Sequence, residues 1–234
     1  MNREAFLNRV REAAAAGRAY RVHLRHDLTP EMGYAGAGDD KAARMAQEVA
    51  AVGGHAHLVA DLDAAREVLR ELLAKYEPQT ALCWRHSLLD RLGLDSVLAA
   101  QGIGKLDHAA LTPLSQAEQR TQMLAADIGI TSATHAVAET GSLVMASTPG
   151  SERLASLVPP VHIAIIDDTQ VLPDLFDLFS RLEADGPERL ATNLTLITGP
   201  SKTGDLELRL TTGVHGPGKW HVIIIRDSRV SRNA

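Results

Sequence analysis

Two stretches constrain this chain more than any others: "VHIAIID" at 161–167 and "HVIIIRD" at 221–227. Both are short, rich in β-branched residues and apolar almost throughout. A strand with one face in water alternates apolar and polar residues, whereas a strand covered on both faces has no reason to. These two segments are therefore read as interior strands of a sheet with helices on both sides. "SLVMAS" (142–147) and "LTLIT" (194–198) are strands of the same character, while "HAHLVA" from His55 reads simply as a strand and "TALCW" at 80–84 as another short apolar one. "HAALT" at 108–112 is strand-like.

The intervening segments carry helical signals. Residues 41–52 form a helix that leaves through Gly53-Gly54, where glycine accepts the left-handed conformation. Residues 63–76 form the next, stopped by Pro78, and a helix weakened by Gly93 spans 87–101. Ser115 and Glu118 have the S-x-x-E spacing of a capping box and open a helix toward Ala126. A last helix runs over 173–185, with Pro173 in its first turn and Gly186-Pro187 at its end. Alternating strands and helices predict an α/β fold with a mostly parallel central sheet flanked by helices. The 234 residues, 45% hydrophobic, suit one large domain. Within it, 1–40 are expected to be an N-terminal helix and irregular loop, 41–227 the α/β core, and 228–234 a tail. The irregular loop is clearest at 25–40.

A net charge of −5 disfavours nucleic acid, which requires a basic surface. The N-terminal segment is interrupted by charges, and no stretch reaches the roughly 18 uncharged apolar residues of a membrane span. No membrane insertion and a cytoplasmic location are the expectations. Asn193-Leu194-Thr195 matches the glycosylation triplet by chance on this view. Cys83 is the one cysteine, so the chain has no Cys-x-x-Cys pair for an iron–sulfur cluster or structural zinc. In its apolar strand it reads as a small core residue.

The familiar phosphate signatures fail. Gly199 and Gly204 have Walker A spacing, but Asp205 stands where lysine is required. Gly36/Gly38 and Gly102/Gly104 each lack the third glycine of the dinucleotide fingerprint. Among ten histidines, His23 and His26 lie three apart, and His55 and His57 share a strand face. The latter pair reads as the edge of a half-exposed strand, and no metal site is expected.

Two polar turns stand out. In "ITSATHAVAETGSLVMAS" (130–147), Glu139 and Thr140 interrupt a small, apolar run just before Gly141. A carboxylate there is costly unless paired or facing a cleft. It is either a hydrogen-bonded structural contact or a cleft group able to serve as base, nucleophile or ligand anchor. The second turn is "GPSKTGDLELRLTTGVHGP" (199–217). Gly199-Pro200 ends a strand, so Ser201, Lys202 and Thr203 are expected at its C-terminal edge, where open α/β sheets bind ligands. Leu206, Leu208 and Leu210 alternate, which sets Glu207 and Arg209 on the opposite face of a strand. Alternatively, Ser201, Thr203 or Asp205 caps a short helix. His215, between Gly213 and Gly216-Pro217, presents an imidazole able to hold a carboxylate or move a proton.

"AETGSLV", "RLASLVPPVHIAII", "GPSKTGDLELRLTTGVHGP" and "HVIII", in that order over roughly 110–227, resemble the LUD domain. More narrowly they resemble the lactate utilization protein C (LutC/YkgG) family. The leucines at 206 and 208 depart from the family's usual isoleucine and polar residue. The resemblance implies a fold like the NagB/RpiA/CoA-transferase group. It also implies L-lactate oxidation to pyruvate by a complex in which this chain is the non-redox subunit. Iron–sulfur clusters would then belong to partner lactate utilization proteins, with no cofactor in this chain. On that basis Glu139 and His215 are the candidate catalytic residues. Thr140, Gly141, Gly199, Ser201, Thr203, Asp205, Glu207 and Gly216 are the candidate ligand contacts for a small carboxylate. "AETG" is also similar to the acyl-accepting glutamate turn of some CoA transferases, so a stand-alone CoA-transferase-like or sugar-phosphate isomerase-like enzyme is the alternative. A pure assembly protein is the third reading.

Overall fold

The computed structural model describes residues 3–18, 36–186, 188–204 and 210–227. Asp205, Glu207, His23, His26 and the alternation at Leu206 and Leu208 lie outside these residues. Two compact units divide the chain at Tyr34/Ala35. The first contains helix α1 (Arg3–Arg18), on which Phe6 and Val10 are exposed.

The second unit is built on six parallel strands. In chain order these are β1 (His55–Val59), β2 (Thr80–Cys83), β3 (Gly104–Leu106), β4 (Ile128–Thr131), β7 (Val161–Asp167) and β12 (Lys219–Ile225). Across the sheet the order is β1-β12-β7-β4-β2-β3. Every neighbouring pair is parallel. β7 is buried along its whole length and β12 at every residue after Lys219, as their unbroken apolar runs require.

Helices α2 (Lys41–Ala51) and α3 (Leu62–Tyr76) cover opposite faces. Trp220 and His221 are successive residues of β12 and so point opposite ways. Val49 of α2 packs where the indole of Trp220 meets Gly54, while Tyr76 of α3 bonds the ring of His221. α3 closes with Glu77 in the left-handed region, φ 46°, directly before Pro78.

A second sheet holds the remaining apolar strands. It consists of β5 (His135–Val137), β6 (Ser142–Ala146), β8 (Val171–Leu172) and β9 (Leu194–Ile197), in the order β8-β5-β6-β9. β6 runs antiparallel to both of its neighbours. The expectation that 142–147 and 194–198 resemble the parallel strands therefore needs correction. β6 looks buried on both sides because it faces two cores: Leu143 and Met145 join the main core, and Val144 joins a small one with Val137, Leu172 and Leu178. Helix α8 (Leu175–Asp185) roofs that small core. Its N-cap is Asp174, so Pro173 precedes the helix rather than occupying its first turn.

Three more expectations change in detail. The region 87–101 is two helices, α4 (Ser87–Leu92) and α5 (Leu94–Ala100), broken at Gly93. Residues 108–112 are not a strand, because the Asp107 carboxylate accepts the Ala110 N–H and starts helix α6 (His108–Leu111). After Gly199, Lys202–Gly204 form strand β10, paired antiparallel with β11 (Leu210–Thr212), so Ser201 and Thr203 lead into a strand rather than capping a helix; the Asp205 alternative lies outside the described residues. Helix α7 (Gln116–Leu124) begins with the expected Ser115–Glu118 capping box. No described helix is long and apolar enough to cross a membrane.

Candidate functional site

The two glycine–proline turns are fastened to each other and to α2. The Ser201 N–H donates to Pro217 O (2.9 Å) and the Gly213 N–H to Ser201 O (3.0 Å). Gly199, φ 95°, lies so close to the end of α2 that a Cβ there would meet Val52 O at 2.9 Å. The Lys202 ammonium donates to the same Val52 carbonyl at 2.5 Å, capping a helix C-terminus instead of facing a ligand. Between the turns lies a cavity of about 270 Å³. Of the expected residues, Gly199, Ser201, His215 and Gly216 line it; Thr203 sits on β10 beyond it. His215 is exposed, whereas two further lining residues, His162 and Trp220, are buried.

The acidic turn joins β5 to β6. Glu139 is half-buried and its backbone N–H donates to Pro173 O (3.0 Å). Gly141, φ 65°, packs on α2, where a Cβ would lie 2.7 Å from the backbone of Glu48 and Val49. Thr140 Oγ1 contacts Ser142 Oγ at 2.7 Å, and Ser142 Oγ contacts Thr198 Oγ1 at 2.6 Å. This file of three hydroxyls runs from the acidic turn to Thr198, which lines the cavity. Glu139, Thr140 and Gly141 are not among the cavity's lining residues, so the two turns are linked through hydroxyls without sharing a wall.

A larger cavity, about 950 Å³, opens at the carboxyl ends of β2 and β4. From β2 the chain proceeds outward to β3, and from β4 it proceeds the other way to β7. Such a reversal leaves a crevice where α/β sheets hold ligands. Trp84, His86, Ala133 and Thr134 lie on its sheet side, with Phe179 and Arg189 across from them. His86 Nδ1 accepts the Leu88 N–H (3.2 Å), which leaves Nε2–H as a donor in the neutral ring. Burial holds both His86 and His135, another lining residue, below the usual histidine range. None of these residues stood out in the sequence, because the crevice exists only once strand order is known.

His55 and His57 share a face as expected, and β12 adds a third ring to the pair. His57 Nε2 lies 3.0 Å from His221 Nδ1, and Tyr76 Oη lies 2.8 Å from His221 Nε2. Burial, then the charges of His55 and His57, push His221 down to about 3, and burial also lowers His57. The stack ties edge strand β1 to its neighbour and to α3. Cys83 is buried, and burial pushes its thiol up to about 12.

The LUD domain pattern matches residues 42–225, and the chain belongs to the LUD domain family. Lactate utilization protein C of Halalkalibacterium halodurans is 30% identical over 96% of this chain and 98% of its own. The Escherichia coli protein YkgG is 28% identical over 97% and 99%. Lactate utilization protein B of Shouchella clausii is 33% identical over 58% of this chain, but only 28% of its own. A DUF162 family crystal structure from Deinococcus radiodurans shares the fold, with a TM-score of 0.55 and 18% identity over 79% of this chain and 96% of that one.

Proposed function

We propose that this chain acts in lactate utilization as the non-redox subunit of a system that oxidises L-lactate to pyruvate. The observation that carries this reading is the near full-length match to a protein named lactate utilization protein C. L-Lactate loses two electrons and two protons on becoming pyruvate, and the electrons pass to iron–sulfur clusters in partner proteins. The one thiol of this chain, buried and with its pKa raised to about 12, is unsuited to ligating such a cluster. The related region within a protein named lactate utilization protein B supports a multi-protein system.

In this reading the small carboxylate binds in the cavity lined by Gly199, Ser201, His215 and Gly216. Thr203, Asp205 and Glu207 belong to the adjoining segment. Glu139, with Thr140 and Gly141, acts from the far end of the hydroxyl file, and His215 is the group at the cavity placed to exchange a proton. The purified chain should reduce no dye with lactate, and adding the iron–sulfur partners should restore lactate-dependent reduction. Glu139→Gln and His215→Gln should each lower the reconstituted rate by about 10²-fold or more. Rapid lactate oxidation by the chain alone would overturn the assignment.

A further inference from the structure

Among the described residues, three buried side-chain nitrogens have no hydrogen-bond partner: Arg44 Nε, His162 Nδ1 and Trp220 Nε1. Two of the three belong to residues lining the 270 Å³ cavity. Trp220 and His162 are direct cross-strand neighbours on β12 and β7, so their side chains share a sheet face. His162 is fully buried, with Nε2 bonded to Thr131 Oγ1 at 2.9 Å. A buried polar group without a partner costs roughly 1–3 kcal/mol, while apolar side chains at these positions would avoid that cost. Two unpaired nitrogens side by side on a largely apolar sheet face, where the Thr131 hydroxyl meets His162 Nε2, therefore call for a polar occupant.

We propose that this cavity binds a short 2-hydroxy or 2-oxo carboxylate, its uncharged oxygen against Trp220 and His162 and its carboxylate at the mouth beside Ser201 and His215. The indole N–H donates to either kind of oxygen. His162 serves both as well. When Nε2–H donates to Thr131, Nδ1 accepts from a ligand hydroxyl; when the Thr131 hydroxyl donates to Nε2, Nδ1–H donates to a keto oxygen. Burial pushes His162 down to about 3, so the ring is neutral, which suits an uncharged oxygen at the floor. A carboxylate buried there without a cation would be costly, whereas at the exposed end beside His215 it keeps its solvation. The volume is several times the ~30 Å³ share of one water and well short of a nucleotide. That the acid is lactate rests on the functional reading above; the chemistry of the floor does not.

The chain has two tryptophans, so the ¹⁵N-labelled protein gives two indole N–H resonances. Trp84 Nε1 already donates to Glu152 O at 2.9 Å and serves as the reference. Titration with L-lactate, pyruvate, glycolate and a longer 2-hydroxy acid should move the Trp220 resonance and leave that of Trp84 in place. Propionate, which lacks the 2-oxygen, should bind about tenfold or more weakly, and Trp220→Phe should weaken lactate binding to a similar degree. The titration uses the unmodified chain, so it stands even where that variant misfolds. A Trp220 resonance unmoved by every acid means that water alone fills the cavity and overturns the proposal. Equal binding of propionate, or a shift of Trp84 alone, overturns it as well. Binding of another 2-hydroxy acid but not lactate upholds the floor chemistry and removes the lactate reading. Lactate binding without reconstituted oxidation upholds the site and removes the redox role.

Discussion

A methyl group at position 129 would lie 1.8 Å from the carbonyl oxygen of Ala155, which packs directly on the middle of β4. A Cβ on Gly93, by contrast, meets nothing within 4 Å; only its φ of 73° disfavours a side chain. Gly129→Ala should therefore cost about 3 kcal/mol or more, through displaced backbone. Gly93→Ala should cost about 1 kcal/mol, the left-handed penalty alone. Urea midpoints at unchanged m-value separate the two. Cys83, buried beneath the sheet surface, should resist iodoacetamide in the native protein and react on unfolding, as read by mass spectrometry. Residue identity made Cys83 legible as a core side chain from the start. His162 and Trp220 were not legible as a pair, because they are far apart in sequence and only strand register sets them side by side.

Elements were readable where local chemistry decides them. The Ser115–Glu118 box, the exit at Gly53-Gly54 and the interior strands β7 and β12 all form as their residues suggest. The strand-like reading of 108–112 failed because a single carboxylate at 107 outweighs four residues of mixed propensity. The strand β6 was found, but its sheet was not: apolar side chains on both faces are the same signal whether the covers are helices or two separate cores. The small core under α8 has few members and depends on how that helix begins. Asp174→Ala removes the acceptor for the Asp177 N–H (2.8 Å) and should cost about 1 kcal/mol. Amide exchange in α8 should rise before exchange in the central strands does.

For the molecule as a whole, acid is the informative variable. His162 and His221 are held neutral by burial, with pKa values near 3 against 6.5 for the free side chain. The unfolded chain therefore binds more protons than the folded one between those limits. Their contribution is fully present above about pH 6.5 and is lost as pH falls toward 3, by up to about 1.4 kcal/mol per pH unit for fully buried His162, with His221, coupled to His55 and His57, adding in the same direction. Urea unfolding should show a clear fall in stability from pH 7 to pH 5, and a flat profile would contradict neutral burial. The parallel architecture was legible from the sequence, yet the crevice between β2 and β4 was not, since strand order is a long-range property of the fold. That order also bears on synthesis. Strand β12 follows β1 and β7 in the chain yet lies between them in the sheet, so β1 has no strand partner and β7 keeps one open edge until residues 219–225 leave the ribosome. Residues 219–225 thus act as a keystone, and a nascent chain stalled before them would carry an unpartnered β1 and a bare border of β7 for chaperones to guard.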